Sequence, residues 1–455
     1  MTQAVRHDSM RARNLGVVLA EVRRSGPVTR AALAEITGLT KTTVSKLVAD
    51  LLEAGMVAET GVASRGERGR PGTALALSGG RVAALGLEVN VDYLSACVVD
   101  LTLAVRLRRA QAVDNRAASP AETLANVRRL AREAVDEARS LGLVIAGSAL
   151  AVPGPVDDGL VHSAPNLGWR DVRVGDLLGD LLGNPRSGLL GDLSGAPPRP
   201  SAYSPETVRP AGPARADGSV CADGSVCADG SAGAALMRPA GPGPLPSSAV
   251  DNEANLAALG ELWFGSGHRD FLHVSGEIGI GAGLVVGGAL FRGAHGLAGE
   301  LGHVIVSPDG PPCRCGGRGC LEQYAGQEAL LRAAGAGTVA ELVERLRGGD
   351  AAALAACERA GHALGLALTS AVHLFDPGTI VLGGVFAPLF PWISGPARET
   401  TAARLSAIRA AVPDLAVSRL GADAAMLGAA GQVIHRIIAD PVAHLAASRT
   451  APGPD

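Results

Sequence analysis

The sequence predicts an α/β protein that begins with a winged helix-turn-helix. Three observations support this prediction: strand-like and helix-like patterns alternate along most of the chain, two short helical patterns meet at a glycine near its start, and charge is unevenly distributed. Residues 1–81 carry a net charge of +5 and the other 374 residues carry −8, within a total of −3 over 455 residues. A small basic segment ahead of a large acidic one is typical of a nucleic-acid-binding module joined to a second domain.

Composition excludes several other classes of protein. With 47% hydrophobic residues and a small net charge, the chain is not disordered as a whole. No apolar run reaches the ~20 residues of a membrane helix, and no apolar signal segment follows Met1, so we expect a soluble, cytoplasmic protein without a membrane partner. Seven cysteines in a chain of this length do not make a disulfide scaffold.

Start and stop signals define the helices of the head. Residues 15–22 have apolar residues at helical spacing. Thr29 is a good N-cap for a second helix, and Gly38 can take the left-handed conformation that ends it. Thr40 caps a third helix over residues 41–54. The face of this helix opposite its apolar residues carries short hydrogen-bond donors and the only two lysines of the chain. We predict that this face contacts DNA through Thr40, Lys41, Thr42, Thr43, Ser45 and Lys46.

Two candidate strands follow, over residues 57–60 and 73–77, and the loop between them is rich in arginine and glycine. Its Arg-Gly-Arg-Pro segment is extended and cationic, and so can enter a narrow minor groove. We predict a wing that contacts DNA through Arg68, Arg70 and Pro71. The alternative for the loop is a solvated linker, and the alternative for the head is a winged helix that docks protein.

The first half of the body begins with a predicted hairpin of strands 82–89 and 93–99, followed by a helix over 120–140 and a buried strand over 143–152. Residues 184–248 are instead rich in Pro, Gly, Ser and Ala and repeat the hexapeptide Ala-Asp-Gly-Ser-Val-Cys. We predict a disordered insert without a binding role. The cysteines of the repeat, Cys221 and Cys227, could alternatively pair or bind a metal.

In the second half, order resumes at Val250 with a helix that continues through Trp263. A strand over 271–274, a glycine-rich turn over 276–283 and a strand over 284–286 are predicted next.

The most specific feature of the sequence is a set of metal-ligand types at the spacing His-x9-Cys-x-Cys-x4-Cys. Three thiolates and one imidazole form a closed tetrahedral set that is typical of structural Zn²⁺. We predict that His303, Cys313, Cys315 and Cys320 bind zinc. The alternative is a cluster of free thiols. Cys97 and Cys357 are expected to be buried thiols.

Together these motifs resemble those of the ROK family (repressors, open reading frames and sugar kinases), in particular its transcriptional branch of xylose-repressor and N-acetylglucosamine-repressor type. The matching segments are LTKTTVS (39–45), VPGPVD (152–157), APNLGW (164–169), DNEAN (251–255), GELGH (299–303), the cysteine motif ending at Glu322, and DPGTIVLGG (376–384).

The resemblance implies two actin-like, ribonuclease-H-like lobes with a sugar in the cleft between them. The head would then cover residues 1–80, and the first lobe residues 81–183 with a C-terminal helix over 421–445. The second lobe and its zinc site would cover residues 249–420, ahead of a disordered tail over 446–455. By the same resemblance, sugar-binding residues would be Asn166, Asn252, Glu253, Glu300, His303 and Glu322. His303 would bind zinc through one ring nitrogen and a sugar hydroxyl through the other; the alternative for Glu300 and Glu322 is that they are surface carboxylates.

The family contains kinases as well as repressors, and three departures favour a repressor. Kinases of the family carry Asp-x-Gly-Gly-Thr where this chain has residues 88–92, Glu-Val-Asn-Val-Asp, and Gly-Thr-Gly where it has Gly-Glu-Ile at 276–278. Their catalytic Asp corresponds to Glu253. We therefore predict a sugar-responsive repressor without kinase activity, bound to a palindromic double-stranded operator as a homodimer or homotetramer. The alternatives are a bifunctional sugar kinase with a DNA-binding head, and a regulator with an empty cleft that responds to a protein partner.

Overall fold

The computed structural model describes residues 7–62, 72–174, 248–265, 267–407 and 412–442. The predicted wing contacts Arg68, Arg70 and Pro71 lie outside the described residues. So do the predicted tail and, except for Ser248, the predicted insert with Cys221 and Cys227.

The head is a helix-turn-helix with a small sheet, as the sequence predicts. It comprises α1 (His7–Ser25), β1 (Val28–Thr29), α2 (Arg30–Thr37), α3 (Lys41–Glu53), β2 (Val57–Val62) and β3 (Thr73–Leu77). The Thr29 hydroxyl accepts a hydrogen bond from the Ala32 N–H, and Gly38 has a φ of 71°. The strand order is β1-β3-β2. Strand β1 was not predicted, since two residues are too few to show a pattern.

The first lobe contains β4 (Val82–Val89), β5 (Tyr93–Asp100), β6 (Val105–Ala112), α4 (Pro120–Ser140), β7 (Val144–Val152), β8 (Val156–Asp157), β9 (Leu160–Ala164), β10 (Trp169–Arg173) and β11 (Ser248–Asn252). Its main sheet has the order β11-β7-β4-β5-β6. Because β11 pairs in parallel with β7, it belongs to the first sheet. The boundary predicted at residue 249 is therefore wrong by one strand.

The second lobe contains α5 (Glu253–Phe264), β12 (Phe271–Gly276), β13 (Ile280–Val286), β14 (Ala289–Phe291), α6 (Glu322–Ala325), α7 (Gln327–Ala334), α8 (Val339–Arg347), α9 (Ala351–Phe375), β15 (Thr379–Gly384), α10 (Phe386–Leu405) and β16 (Asp414–Val417), and α11 (Ala424–Ala439) follows. The glycine-rich turn predicted over 276–283 is wrong, because β13 already begins at Ile280. Its glycines instead allow helix α5 to pack closely on the strand, because a Cβ at Gly283 would lie only 2.5 Å from the Ala258 Cβ.

The two main sheets have the same topology. The second has the order β14-β13-β12-β15-β16. In each sheet the first three strands in sequence are antiparallel neighbours. A fourth strand then pairs in parallel with the first, and a fifth pairs in parallel with the fourth. The repeated arrangement is the two-lobed, actin-like fold that the resemblance implied.

A pair of helices lies between the two sheets. Helix α5 leaves the first sheet and packs on β12 and β13 of the second, while α11 follows the second lobe and packs on β4, β5 and β7 of the first. Their backbones are in close contact, since a Cβ at Gly428 would lie 1.8 Å from the Leu256 carbonyl oxygen. The helices of the two lobes are therefore packed directly against each other.

The head shares a hydrophobic core with α11. Leu15, Leu19 and Val22 of α1 are buried in the same cluster as Ile434 and Ile438. Among the described residues, every helix is too short or too polar to cross a membrane.

A polar contact lies beside this core. Arg23 donates to Nε2 of His435 over 2.6 Å, and the His435 ring stacks on Trp263 with centroids 4.0 Å apart. Burial, together with Arg23, lowers the pKa of His435 to about 3. The ring is therefore neutral at physiological pH and can accept the bond. The contact joins the head, α11 and the end of α5.

We expect Gly16→Ala to loosen the head from the body. Alanine favours a helix over glycine by ~1 kcal/mol, but a Cβ at position 16 would lie 2.4 Å from the Ala439 carbonyl oxygen. Overpacking typically costs about 1–3 kcal/mol, so the net effect is a lower melting temperature and faster hydrogen exchange in α1. The control is Val17→Ala, which changes an exposed position of the same helix. A melting temperature that rises in both variants would contradict this account of the docking.

Candidate metal centre and interlobe cleft

The predicted metal ligands converge at one point of the second lobe. The Sγ of Cys313 lies 3.8 Å from Nδ1 of His303, and the Sγ atoms of Cys315 and Cys320 are 3.6 Å apart. All four ligand atoms lie within 4.8 Å of one another. Thiolates bound to tetrahedral Zn²⁺ at ~2.3 Å are separated by about 3.8 Å. The donor set and its spacing therefore fit zinc.

A short irregular hairpin brings the cysteines together. The Cys313 N–H donates to the Gly317 carbonyl oxygen over 2.8 Å, and Cys320 pairs with Ile305 in an isolated antiparallel bridge. Cys97 and Cys357 are fully buried elsewhere, as expected.

His303 connects the metal centre to the cleft. Its Nδ1 faces the cysteines, and its Nε2 lies 4.0 Å from the Glu300 carboxylate. A metal on Nδ1 leaves the proton on Nε2, which then donates toward the cleft. The two ring nitrogens thus lie where the implied double role of His303 requires them.

A cavity of about 500 Å³ lies between the lobes. All six residues that the resemblance implies for sugar binding line it: Asn166, Asn252, Glu253, Glu300, His303 and Glu322. Carboxylates and amides suit sugar hydroxyls, which both donate and accept hydrogen bonds.

Asn252 also has a structural role that the sequence analysis missed. Its side-chain oxygen accepts from the N–H groups of Ala254 and Asn255, and its Nδ2 donates to the Gly154 carbonyl oxygen over 2.9 Å. It is therefore the N-cap of α5, and one N–H remains for a ligand. An asparagine ahead of a predicted helix was the signal that could have revealed this.

Comparison with known proteins identifies both parts of the chain. Residues 247–436 match the ROK family, and residues 17–66 match the MarR family. The chain therefore carries a ROK family domain behind a MarR-type helix-turn-helix. It is 25% identical to the xylose repressor of Bacillus subtilis over 432 residues, which cover 93% of this chain and 96% of the relative.

A family enzyme matches a smaller part of the chain. The glucokinase of Thermotoga maritima is 34% identical over 209 residues, 41% of this chain and 66% of the enzyme.

A solved ROK family transcriptional regulator, described as a homologue of the E. coli MLC protein, has the same fold, with a TM-score of 0.66 at 22% identity. It covers 96% of this chain and 98% of its own.

Several glutamates of the cleft have raised pKa values, and one of them, Glu277, was not assigned to sugar from the sequence. Burial raises the pKa of Glu300. The nearby His303 acts to lower this pKa, and Glu322 acts to raise it further. Glu277 lines the same cavity. Burial raises its pKa to about 7, against a hydrogen bond from Asn90. Burial, with Glu277 and Glu88 adding, also raises the pKa of Glu253 well above its ordinary value.

Glu88 is the most deeply buried of these acids. It is 2% exposed and accepts hydrogen bonds from the Tyr93 hydroxyl over 2.8 Å and the Ser95 hydroxyl over 3.2 Å. Burial raises its pKa to about 8. Glu88 interacts electrostatically with Glu253 and Glu277, which line the cleft, so the three form an acidic cluster.

The predicted DNA face divides into two sets. Thr40 accepts from the Thr43 N–H and pairs with the Thr43 hydroxyl over 2.9 Å, so these two residues hold the start of α3. The other predicted contacts are exposed along the helix: Lys41, Thr42, Ser45 and Lys46.

We expect Cys315→Ser to lose the metal. The wild-type chain should hold one zinc ion per molecule and melt at a lower temperature after a strong chelator is added, because ligand binding is coupled to folding. The variant should hold no zinc, and its melting temperature should be close to that of chelator-treated wild type. Adding the chelator should not change the melting temperature of the variant. Cys357→Ala is the control, since this cysteine lies outside the cluster and should leave the zinc content unchanged. Equal zinc in both variants would exclude Cys315 as a ligand.

We expect Glu277→Gln to stabilise the protein more at pH 8 than at pH 5. The folded state raises the pKa of Glu277 from 4.5 to about 7. It therefore binds this proton more tightly than the unfolded chain does, and this contribution to stability is lost as pH rises from about 4.5 through 7. Glutamine cannot ionise, so the variant does not lose this stability at high pH. Thermal unfolding at pH 5 and pH 8 measures the stability of each protein, with the exposed Glu53→Gln as control. A stabilisation by Glu277→Gln that is larger at pH 5 than at pH 8 would contradict the raised pKa of Glu277.

Proposed function

We propose that this chain is a sugar-responsive repressor. It binds a palindromic double-stranded operator as a homodimer or homotetramer, and it releases DNA when a sugar occupies the cleft. The observation that carries the proposal is the shared core of α1 and α11, which joins a helix-turn-helix to the lobe that borders the cleft. Similarity to a xylose repressor over nearly the whole chain supports it. A cytoplasmic location is part of the proposal, because the operator lies there.

The cleft offers a sugar both acceptors and donors. Glu300 and Glu322 supply carboxylate oxygens, while Nε2 of His303 and the amides of Asn166 and Asn252 supply N–H groups. Zinc, when bound, supplies no reactive position, because its four ligands come from the protein. It would fix the orientation of His303 without touching the sugar.

Helices α5 and α11 give the sugar signal a route to DNA. Helix α5 begins at the cleft with Asn252 and Glu253 and reaches Trp263, which stacks on His435. His435 in turn accepts from Arg23 in the head. If the sugar favours a cleft geometry that shifts this helix pair, the heads move with it. A coupling of about 1–3 kcal/mol between sugar and DNA binding is typical of such regulators.

In a kinase of the family, the turn between β4 and β5 would bind phosphate. In this chain, N–H groups of that turn form hydrogen bonds within the turn itself. The Asn90 N–H donates to the Tyr93 carbonyl oxygen over 3.0 Å, and the Asp92 N–H donates to the Asn90 side chain over 3.2 Å. These groups are therefore not free to hold a phosphate. At the second turn, the Glu277 N–H donates to the Gly279 carbonyl oxygen, and the Glu277 side chain offers a polyphosphate no positive charge. This supports a chain that binds sugar without phosphorylating it.

The proposal is tested by DNA release. An operator selected from a random duplex library is titrated with protein by fluorescence anisotropy, in the presence of D-xylose, D-glucose or N-acetylglucosamine. We expect one of these sugars to weaken DNA binding by about 5- to 150-fold. Glu300→Ala should bind the operator as wild type does yet fail to release it, whereas the exposed Glu358→Ala should release it normally.

The alternatives give different results in the same preparation. Incubation with ATP and sugar should yield no sugar phosphate, and clear turnover would favour the bifunctional kinase. Normal release by Glu300→Ala would exclude the cleft as the sugar site. Operator binding that no sugar changes would favour a regulator controlled by a protein partner.

A further inference from the structure

Arg314 bridges the two lobes at the edge of the cleft. It lies between two predicted metal ligands, Cys313 and Cys315, in the second lobe. Its Nη1 donates to Oδ1 of Asn166 over 2.7 Å, and its Nη2 lies 3.4 Å from the Glu328 carboxylate. Asn166 belongs to the short 3-10 turn Pro165–Leu167 of the first lobe. Arg314 and Asn166 also border a second, smaller cavity of about 190 Å³.

This contact sets the orientation of the Asn166 amide. A guanidinium only donates hydrogen bonds, so it must face the side-chain oxygen of Asn166 and not its nitrogen. A flipped amide would point N–H groups at N–H groups. Arg314 therefore turns Nδ2 of Asn166 away from itself.

The freed nitrogen lies on the cleft side. A Cβ built on Gly279, which lines the cavity, would lie 3.8 Å from Nδ2 of Asn166 and 2.7 Å from Oε2 of Glu322. Within the described residues, Nδ2 makes no hydrogen bond. A donor and an acceptor thus flank Gly279, and a single hydroxyl can satisfy both because it accepts from one and donates to the other.

We propose that Arg314 is a positioning residue that makes Asn166 a hydrogen-bond donor to a sugar hydroxyl, and that the metal centre acts on sugar selection through it. The inference rests on the proposed function and deepens it. A metal bound to Cys313 and Cys315 anchors the backbone on both sides of Arg314. The guanidinium is then held in place for Asn166, and loss of the metal releases it.

Sugar affinity tests the orientation. Dissociation constants for D-xylose, D-glucose and N-acetylglucosamine are measured by calorimetry on the zinc-loaded full chain. Arg314→Ala should weaken binding of the preferred sugar by about 5- to 10-fold, which corresponds to the loss of one hydrogen bond. The ratio of its affinity to those of the other two sugars should also fall. Arg314→Lys should recover part of both effects. Arg318→Ala, which removes an exposed arginine of the same loop, is the matched control and should match wild type.

Asn166→Asp separates orientation from simple attachment of the lobes. Its carboxylate still pairs with Arg314 but has no N–H to offer the sugar. We expect it to lose more affinity than Arg314→Ala while its melting temperature stays at or above that of wild type. Sugar binding by Asn166→Asp at wild-type strength would overturn the inference.

Hydrogen exchange of residues 164–169 tests the link to the metal without any sugar. In wild type, a chelator should speed exchange there. In Arg314→Ala, exchange should already be fast with zinc bound, and the chelator should add nothing. Before the chelator is added, both proteins should hold one zinc ion per chain.

The outcomes distinguish this inference from the function on which it rests. If wild type binds none of the sugars, the proposed function fails, and the exchange experiment alone decides whether Arg314 holds Asn166. If sugar binds and Arg314→Ala matches Arg318→Ala in affinity, selectivity and exchange, the inference fails while the function stands.

Discussion

The close contact between α5 and α11 is the constraint on which the rest of the molecule depends. Each helix packs on the sheet of one lobe, and their backbones meet where Gly260 and Gly428 leave no room for a side chain. One helix begins at the cleft, and the other carries the head at its far end. A densely packed pair transmits displacement because its interior cannot absorb it. Cleft geometry and head position are therefore mechanically linked by the fold itself.

The candidate metal centre is connected to the cleft by two side chains. His303 presents one nitrogen to the cysteines and the other toward Glu300. Arg314, between two cysteines, reaches across to the first lobe. Both contacts depend on a loop with little regular structure, which a metal can fix far more firmly than its few backbone hydrogen bonds do. A metal that takes no part in chemistry can thereby determine which groups a ligand meets.

Local signals explain how much the sequence could predict. The caps at Thr29 and Thr40, the hairpin β4–β5 and the four metal ligands all depend on neighbours a few residues away. Long-range partners left no such signal: β11 joins β7 across the predicted insert, and Asn166 and Arg314 are separated by 148 positions. The same limit applies to Gly281 and Gly283, whose purpose is the approach of α5 and not a turn.

The acidic cluster bears on which ligands the cleft can accept. Burial holds the pKa of Glu88 near 8 and that of Glu277 near 7, so both acids keep protons that an exposed glutamate would have lost. A bound polyphosphate would favour those protonated forms further, yet neutral carboxyls still lack the positive charge that phosphate binding needs. A sugar has no net charge, and carboxyl oxygens in either protonation state can hydrogen-bond to its hydroxyls. The same residues therefore disfavour a nucleotide and remain compatible with a neutral sugar.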